Sequence, residues 1–178
     1  MVEQTLVLIK PDGVQKNLSG KIISRFESAG LKIKALKLIQ PTLELSKKHY
    51  PLDESWAKSV YEKTKSVYDK LGKPMEFNNY LDHGKSIQSR LQSFLLEGPV
   101  TAIVLEGENA ITKVRNLVGH TEPLQAEKGT IRADFAPEES YEKADTEKRA
   151  VRNLVHASDA PETAKREIEI WFSQKEII

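Results

Sequence analysis

The sequence predicts an α+β fold of the split-βαβ type, four antiparallel strands with helices packed on one face. Three observations lead there. Apolar runs of strand length and segments of helical period follow one another as strand, helix, strand, helices, strand, helix, long loop, strand, helix. LKIKALKLIQ at 31–40 alternates apolar residues with lysine, as a strand with one buried face should. VTAIVLEG at 100–107 is apolar enough to lie centrally in a sheet.

The elements follow in order. TLVLIK (5–10) is a short β-rich run, ended by the turn residues Pro11, Asp12 and Gly13. Ser19 is placed to cap a helix whose Ile22, Ile23, Phe26 and Ala29 share one face, with Gly30 as its stop. Pro41 ends the strand at 31–40, and LELSKKHY is a brief helix before Pro51. Residues 53–72 set Trp56, Val60, Val67 and Leu71 along one helical stripe. The polar stretch 73–85 reads as irregular, and a helix at about 86–97 runs into Gly98 and Pro99. NAITKVRNLV (109–118) is helical, and a long loop starts at Gly119. The charged stretch 137–149 is open to a helical reading. NLVHA supplies the last strand and PETAKREIEIWF the last helix, with Asp159 and Glu162 spaced as a cap and box.

The totals narrow the function classes. A chain of 178 residues suits one domain, 1–178, with a proper core. Lys plus Arg number 27 and Asp plus Glu 26, so no general electrostatic attraction to nucleic acid or membrane exists. Any phosphate site must come from a local cluster. There is no cysteine, which excludes disulfide and thiolate chemistry and fits a reducing interior. No signal core follows the start, and no apolar run approaches membrane-spanning length, so the expected setting is cytoplasmic.

Three features sit at element ends, where sites usually form. Lys10 leaves the first strand in IKPDGV, able to aim an ammonium at a phosphate; the plain alternative is a solvated lysine. Arg115, Thr121 in GHTEP and Arg132 in GTIRADF make a reasonable polyphosphate clamp, since guanidinium matches phosphate oxygens in bidentate fashion; the alternative is an ordinary surface loop. His156 in NLVHAS, with Asn153, Ser158 and Glu167, is either a satisfied core histidine or a working imidazole, and a carboxylate fixing its tautomer decides for the second. A candidate nucleophile, two arginines, a lysine and a threonine describe phosphoryl transfer better than acyl transfer. GxSxG, HExxH and GxxxxGK[ST] are all absent.

IKPDGV, GHTEP, KGTIRADF, NLVHASD and EIEIWF, in that order, resemble the motifs of the nucleoside diphosphate kinases from residue 4 to about 172. The resemblance implies a ferredoxin-like βαββαβ sheet with helices on it. It further implies ping-pong transfer of a terminal phosphate from a nucleoside triphosphate to a nucleoside diphosphate through a phosphohistidine. Mg²⁺ is expected through the nucleotide's phosphates, with no protein metal ligand. His156 would be the nucleophile, Glu167 and Ser158 its orienting partners, and Tyr50 matches the family's active-site tyrosine. Lys10 and Asn153 would contact ribose and phosphates, and Arg115, Thr121 and Arg132 phosphate oxygens. The family assembles from dimers into hexamers or tetramers, so a homo-oligomer is expected.

Two departures stand out. Insertions occupy about 53–85 and 137–149. The family's base-stacking phenylalanine is replaced by Ile87 or Gln88, Ala150 stands on the other side of the base site, and Lys128 replaces the proline before GTIR. Stacking contributes about 1–3 kcal/mol per base, so altered base contact follows. Trp56, Tyr61 and Tyr68 of the first insertion are available aromatics, although their helix stripe reads first as a packing face. The competing function is a nucleotide-binding regulatory or phosphate-relay protein with impaired transfer. A ferredoxin-like RNA-binding module would need sheet aromatics and a basic surface, which are missing.

Overall fold

A computed structural model describes residues 2–178, with Leu71 described by its backbone alone. The chain runs β1 (Val2–Ile9), α1 (Pro11–Gln15), α2 (Ser19–Ser28), β2 (Lys32–Ile39), α3 (Leu43–His49), α4 (Glu54–Leu71) and α5 (Tyr80–Leu96). It continues through β3 (Val100–Glu108), α6 (Ala110–Val118), α7 (Ile131–Phe135), α8 (Tyr141–Thr146), β4 (Val155–Ala157) and α9 (Pro161–Trp171). The four strands form one antiparallel sheet in the order β2-β3-β1-β4. This is the α+β, split-βαβ arrangement expected.

Helices cover both faces of the sheet rather than one. The reason lies in β1, where Leu6, Val7, Leu8 and Ile9 are all fully buried. Such a strand has no solvent phase. Val7 and Ile9, with Ile103 and Leu105 of β3, pack on Ile22 and Phe26 of α2 and Val114 of α6. Leu6 and Leu8, with Ala102 and Val104, pack on Ile168 and Trp171 of α9 and Leu95 of α5. Strand β2 does not keep one buried face either: a bulge between Ile33 and Ala35 interrupts its alternation and leaves Leu36 and Leu38 exposed on the sheet edge.

Several boundaries moved. Ser19 opens α2 without capping it, and its hydroxyl meets that of Thr101 at 3.3 Å. Asp159 and Glu162 form no box; Ala160 is the N-cap of α9, and Pro161 at the first position needs no N–H partner. Helix α5 begins at Tyr80, so 80–85 is helical, because Asn79 caps the Asp82 N–H at 2.9 Å.

The face that α4 buries agrees with the predicted stripe only in part. Trp56 and Val60 of the stripe are half-buried, as are Tyr61, Thr64 and Tyr68, and Ala57 is buried, whereas Val67 is exposed; the side chain of Leu71 lies outside the described residues. The partner helix decides this. A β-carbon on Gly84 of α5 would lie 2.6 Å from that of Ala57, so Gly84 lets α4 approach closely and turns that side of it inward. Thr64 then meets His83 at 3.1 Å, and the Tyr61 and His83 rings lie 5.8 Å apart edge to face. Tyr68 donates its hydroxyl to Asp145 of α8, which also accepts from Arg90 at 2.8 Å. Tyr61 and Tyr68 are packing residues, and the two insertions rest on each other.

Candidate active site

His156 occupies the middle of β4, opposite Leu8, and so points to the sheet face that α9 covers. Helix α9 buries Ala164, Glu167, Ile168 and Trp171, one face at helical spacing with a carboxylate in it. A buried acid requires partners. Glu167 Oε2 accepts from His156 Nε2 at 2.9 Å and from Ser158 Oγ at 2.6 Å. Arg166 Nη2 stands 3.6 Å from Oε1. With the proton on Nε2, the lone pair of His156 lies on Nδ1.

A second imidazole backs the first. His49 ends α3, fully inside, with its ring 4.4 Å from that of His156 and nearly perpendicular to it. Trp171 Nε1 donates to His49 Nδ1 at 3.2 Å. Burial holds the His49 pKa well below the ordinary value, and the charge of His156 works in the same direction, so His49 is neutral. Its own neighbour Tyr50 lies edge-on, 6.3 Å from the His156 ring, and burial and Glu167 raise its phenol pKa. Sequence reasoning does not single out His49; its place next to Tyr50 is the one signal available. His49, His156 and Glu167 have the spacing of a cation site. Donors already engage most of it, His156 and Ser158 on the carboxylate and Trp171 on His49 Nδ1, and leave the buried His49 Nε2 without a partner. Mg²⁺, which prefers oxygen ligands and retains waters, is better served by phosphate oxygens than by this pair of imidazoles.

The second cluster lies where the chain enters β4. Lys10 is buried, donating from Nζ to Asn153 Oδ1 at 2.6 Å, with the Phe94 ring 5.3 Å away. Burial first, and the Arg132 charge second, lower the Lys10 pKa to about 7. Asn153 in turn donates to the Thr121 carbonyl at 2.8 Å. Arg132, near the start of α7, is buried and donates to three carbonyls: Asn153 at 3.1 Å, Gly119 at 2.9 Å and Val155 at 2.7 Å. Burial lowers its pKa to about 10, assisted by Arg115. Arg132 thus ties the GHTEP loop to the histidine strand. Arg115, in the last turn of α6, and Thr121 are exposed.

The structure therefore joins His156, Glu167, Ser158 and Tyr50 in one cluster and Lys10, Asn153, Thr121 and Arg132 in another, with residues 153–158 common to both. Gln88 lies elsewhere in the pattern: with Gln92 it donates to the Tyr50 carbonyl, at 2.8 and 3.1 Å. Ile87 lines a small cavity between α4 and α5 with Tyr68, His83 and Arg90. Ala150 is buried and Lys128 exposed.

A family profile described as nucleoside diphosphate kinase matches residues 3–75 and 73–177, breaking inside the first insertion. The chain belongs to the nucleoside diphosphate kinase family. A nucleoside diphosphate kinase of Pyrobaculum aerophilum is 42% identical over 181 residues, covering 99% of this chain and 98% of that one. One from Listeria monocytogenes is 40% identical over 177 residues, covering 99% and 93%. Among solved structures, an NDP kinase from Pyrobaculum aerophilum superposes with TM-score 0.95 at 41% identity, over 100% of both chains. A transition-state mimic of the Borrelia burgdorferi nucleoside-diphosphate kinase, with bound vanadate and ADP, gives TM-score 0.80 at 35% identity, over 99% of this chain and 90% of that one. Full two-way coverage by the Pyrobaculum structure means that both insertions have counterparts within the family.

Proposed function

We propose that this member of the family moves the terminal phosphate of a nucleoside triphosphate onto a nucleoside diphosphate by ping-pong through phosphohistidine at His156. The observation that carries the reading is the buried Glu167 accepting from His156 Nε2, which leaves Nδ1 as the nucleophile. Nδ1 forms a bond to the γ-phosphorus as the bridging P–O bond breaks and the diphosphate leaves. The ring becomes cationic, its Nε2–H still directed at Glu167, which stabilises that charge. A β-phosphate oxygen of the second nucleotide then attacks the phosphorus, and the P–N bond breaks.

Surrounding cations supply most of the stabilisation, because charge in the transition state spreads over the equatorial oxygens. We assign Arg115, Thr121 and the uncommitted N–H groups of Arg132 to phosphate oxygens, and Lys10 with Asn153 to ribose hydroxyl and phosphate. Ser158 holds Glu167, and Tyr50 lines the pocket beside His156. Gln88 contributes by fixing Tyr50, which leaves the base side without a stacked aromatic from α5. Mg²⁺ bound by the nucleotide's phosphates would neutralise part of their charge.

The chain is taken as one cytoplasmic domain that assembles with copies of itself, as a hexamer or tetramer built from dimers. Leu36 and Leu38, 49% and 65% exposed on the edge strand β2, favour such assembly, and light scattering measures it. γ-Labelled ATP tests the chemistry. The expected result is an acid-labile, base-stable label, lost in His156→Ala and discharged by CDP or UDP. A label that no diphosphate discharges would indicate a phosphate relay, and its complete absence a regulatory binder.

A further inference from the structure

The turn that delivers Lys10 also grips the strand that carries His156. Leu154 is fully buried and has φ +66°, in the left-handed region that residues with a β-carbon avoid. Both of its backbone polar groups are bound by that turn. Its N–H donates to Asp12 Oδ2 at 3.1 Å, and its carbonyl accepts from the Lys10 N–H at 2.8 Å. Gly13 completes the fit: a β-carbon there would lie 2.8 Å from Ile9 Cγ2 and 3.2 Å from the Leu154 carbonyl.

Asp12 is itself buried, and burial raises its pKa, so placing a carboxyl here is unfavourable unless it does something. What it reaches is the strained residue. Leu154 lies between Asn153, which binds Lys10 and Thr121, and the three residues of β4 centred on His156. A bend at Leu154 therefore sets the angle between the phosphate cluster and the imidazole. Strained backbone persists where its surroundings over-determine it, often at functional sites.

We propose that Asp12 is a positioning residue for phosphoryl transfer: its carboxylate holds Leu154 in the left-handed bend and so fixes His156 relative to Asn153 and Lys10. The proposal rests on His156 being the phosphate acceptor. The competing role for Asp12 is electrostatic, as a negative charge acting on Lys10.

Two substitutions separate these roles. Asp12→Asn removes the charge and keeps an acceptor for the Leu154 N–H; Asp12→Ala removes both. Positioning predicts that Asp12→Ala slows label formation on His156 by about 10²-fold with little change in KM, as misplacement of a reacting group does. Asp12→Asn should recover most of that rate. The Leu154 amide should exchange slowly in wild type and Asp12→Asn and quickly in Asp12→Ala. Equal losses in both variants, with a raised KM and a protected Leu154 amide, would overturn the proposal in favour of the charge.

Should Asp12→Ala not fold, Gly13→Ala pushes on Ile9 Cγ2 and on the Leu154 carbonyl while leaving the Asp12 and Lys10 side chains unchanged. It should slow labelling at unchanged KM, and a wild-type rate there would equally overturn the proposal. Failure of the kinase reading looks different: wild type itself then carries no label, while the exchange measurement still reports on the bend.

Discussion

The corner formed by β4 and α9 and the hairpin of α4 and α5 are both held by polar contacts, yet of opposite kinds. Around His156 the polar atoms are inside: Glu167, Ser158, Asn153, Arg132 and Lys10 are all buried, and each has a named partner. In the hairpin, and between it and α8, most charged pairs lie in solvent, as with Lys73 and Glu142 at 2.5 Å. Buried groups lose their water and must be paired, so removing one partner is costly; exposed pairs exchange one partner for water at little cost. The site should therefore be sensitive to single polar atoms and the insertions tolerant of them.

The largest expected effect comes from Glu167→Gln. The variant keeps the shape but weakens both the acceptor for His156 Nε2 and the stabilisation of the phosphorylated ring. Label formation in rapid quench should slow by about 10²-fold, with a smaller change in KM. A rate near wild type would erase the contrast between the two regions.

How far the sequence reveals each region follows from the same contrast. Lys10, Asn153, Arg132 and His156 stand at element ends next to turn residues, and their chemistry is visible in residue type. Glu167 is harder, because an acid in a helix is ordinarily solvated; spacing makes it a candidate partner of His156 without showing the contact, and its place among Ala164, Ile168 and Trp171 gives the physical reason for its burial. His49 was lost because the pattern of α3 does not reveal what the helix rests on. The inward face of α4 is legible only in part for a similar reason: Trp56 and Val60 are half-buried as the stripe implies, but Gly84, distant in sequence, turns Ala57 inward while Val67 stays exposed. Hydrophobic period indicates that a face exists, whereas the partner determines which one.

Lys10 gives the second test, through pH. Its pKa near 7 in the folded chain lies below the 10.5 of an ordinary lysine. Between those values the unfolded chain binds more protons, so stability should rise with pH from about 7 towards 10.5, by at most about 1.4 kcal/mol per unit. Below about 7 both states are protonated and the slope vanishes. Denaturant titrations of wild type and Lys10→Met should differ by that slope. Nucleotide phosphates should restore the charge, so binding at pH 8 takes up protons in wild type and not in the variant, which calorimetry in buffers of different ionisation enthalpy measures.

In the hairpin, sensitivity should be steric instead. Gly84→Ala forces α4 and α5 apart and should cost about 1–3 kcal/mol, with labelling of His156 retained. The exchange Ala57→Gly with Gly84→Ala restores the space and should recover part of the loss in a thermal melt. A hairpin indifferent to Gly84→Ala would mean that the close approach of the two helices is not what holds it.

The smallest effects belong to the contacts between the insertions, and they should divide by burial even there. Tyr68→Phe removes a half-buried hydroxyl from Asp145, which keeps Arg90 as a partner, so the loss should be about 1 kcal/mol. Lys73→Ala and Glu142→Ala expose no buried partner. Their double-mutant cycle should give a coupling indistinguishable from zero at moderate salt, while that of Tyr68 with Asp145 stays measurable as salt is raised. If the Lys73 and Glu142 coupling proved the larger, the insertions would be held by surface charge, and solvent exposure would no longer separate the two regions.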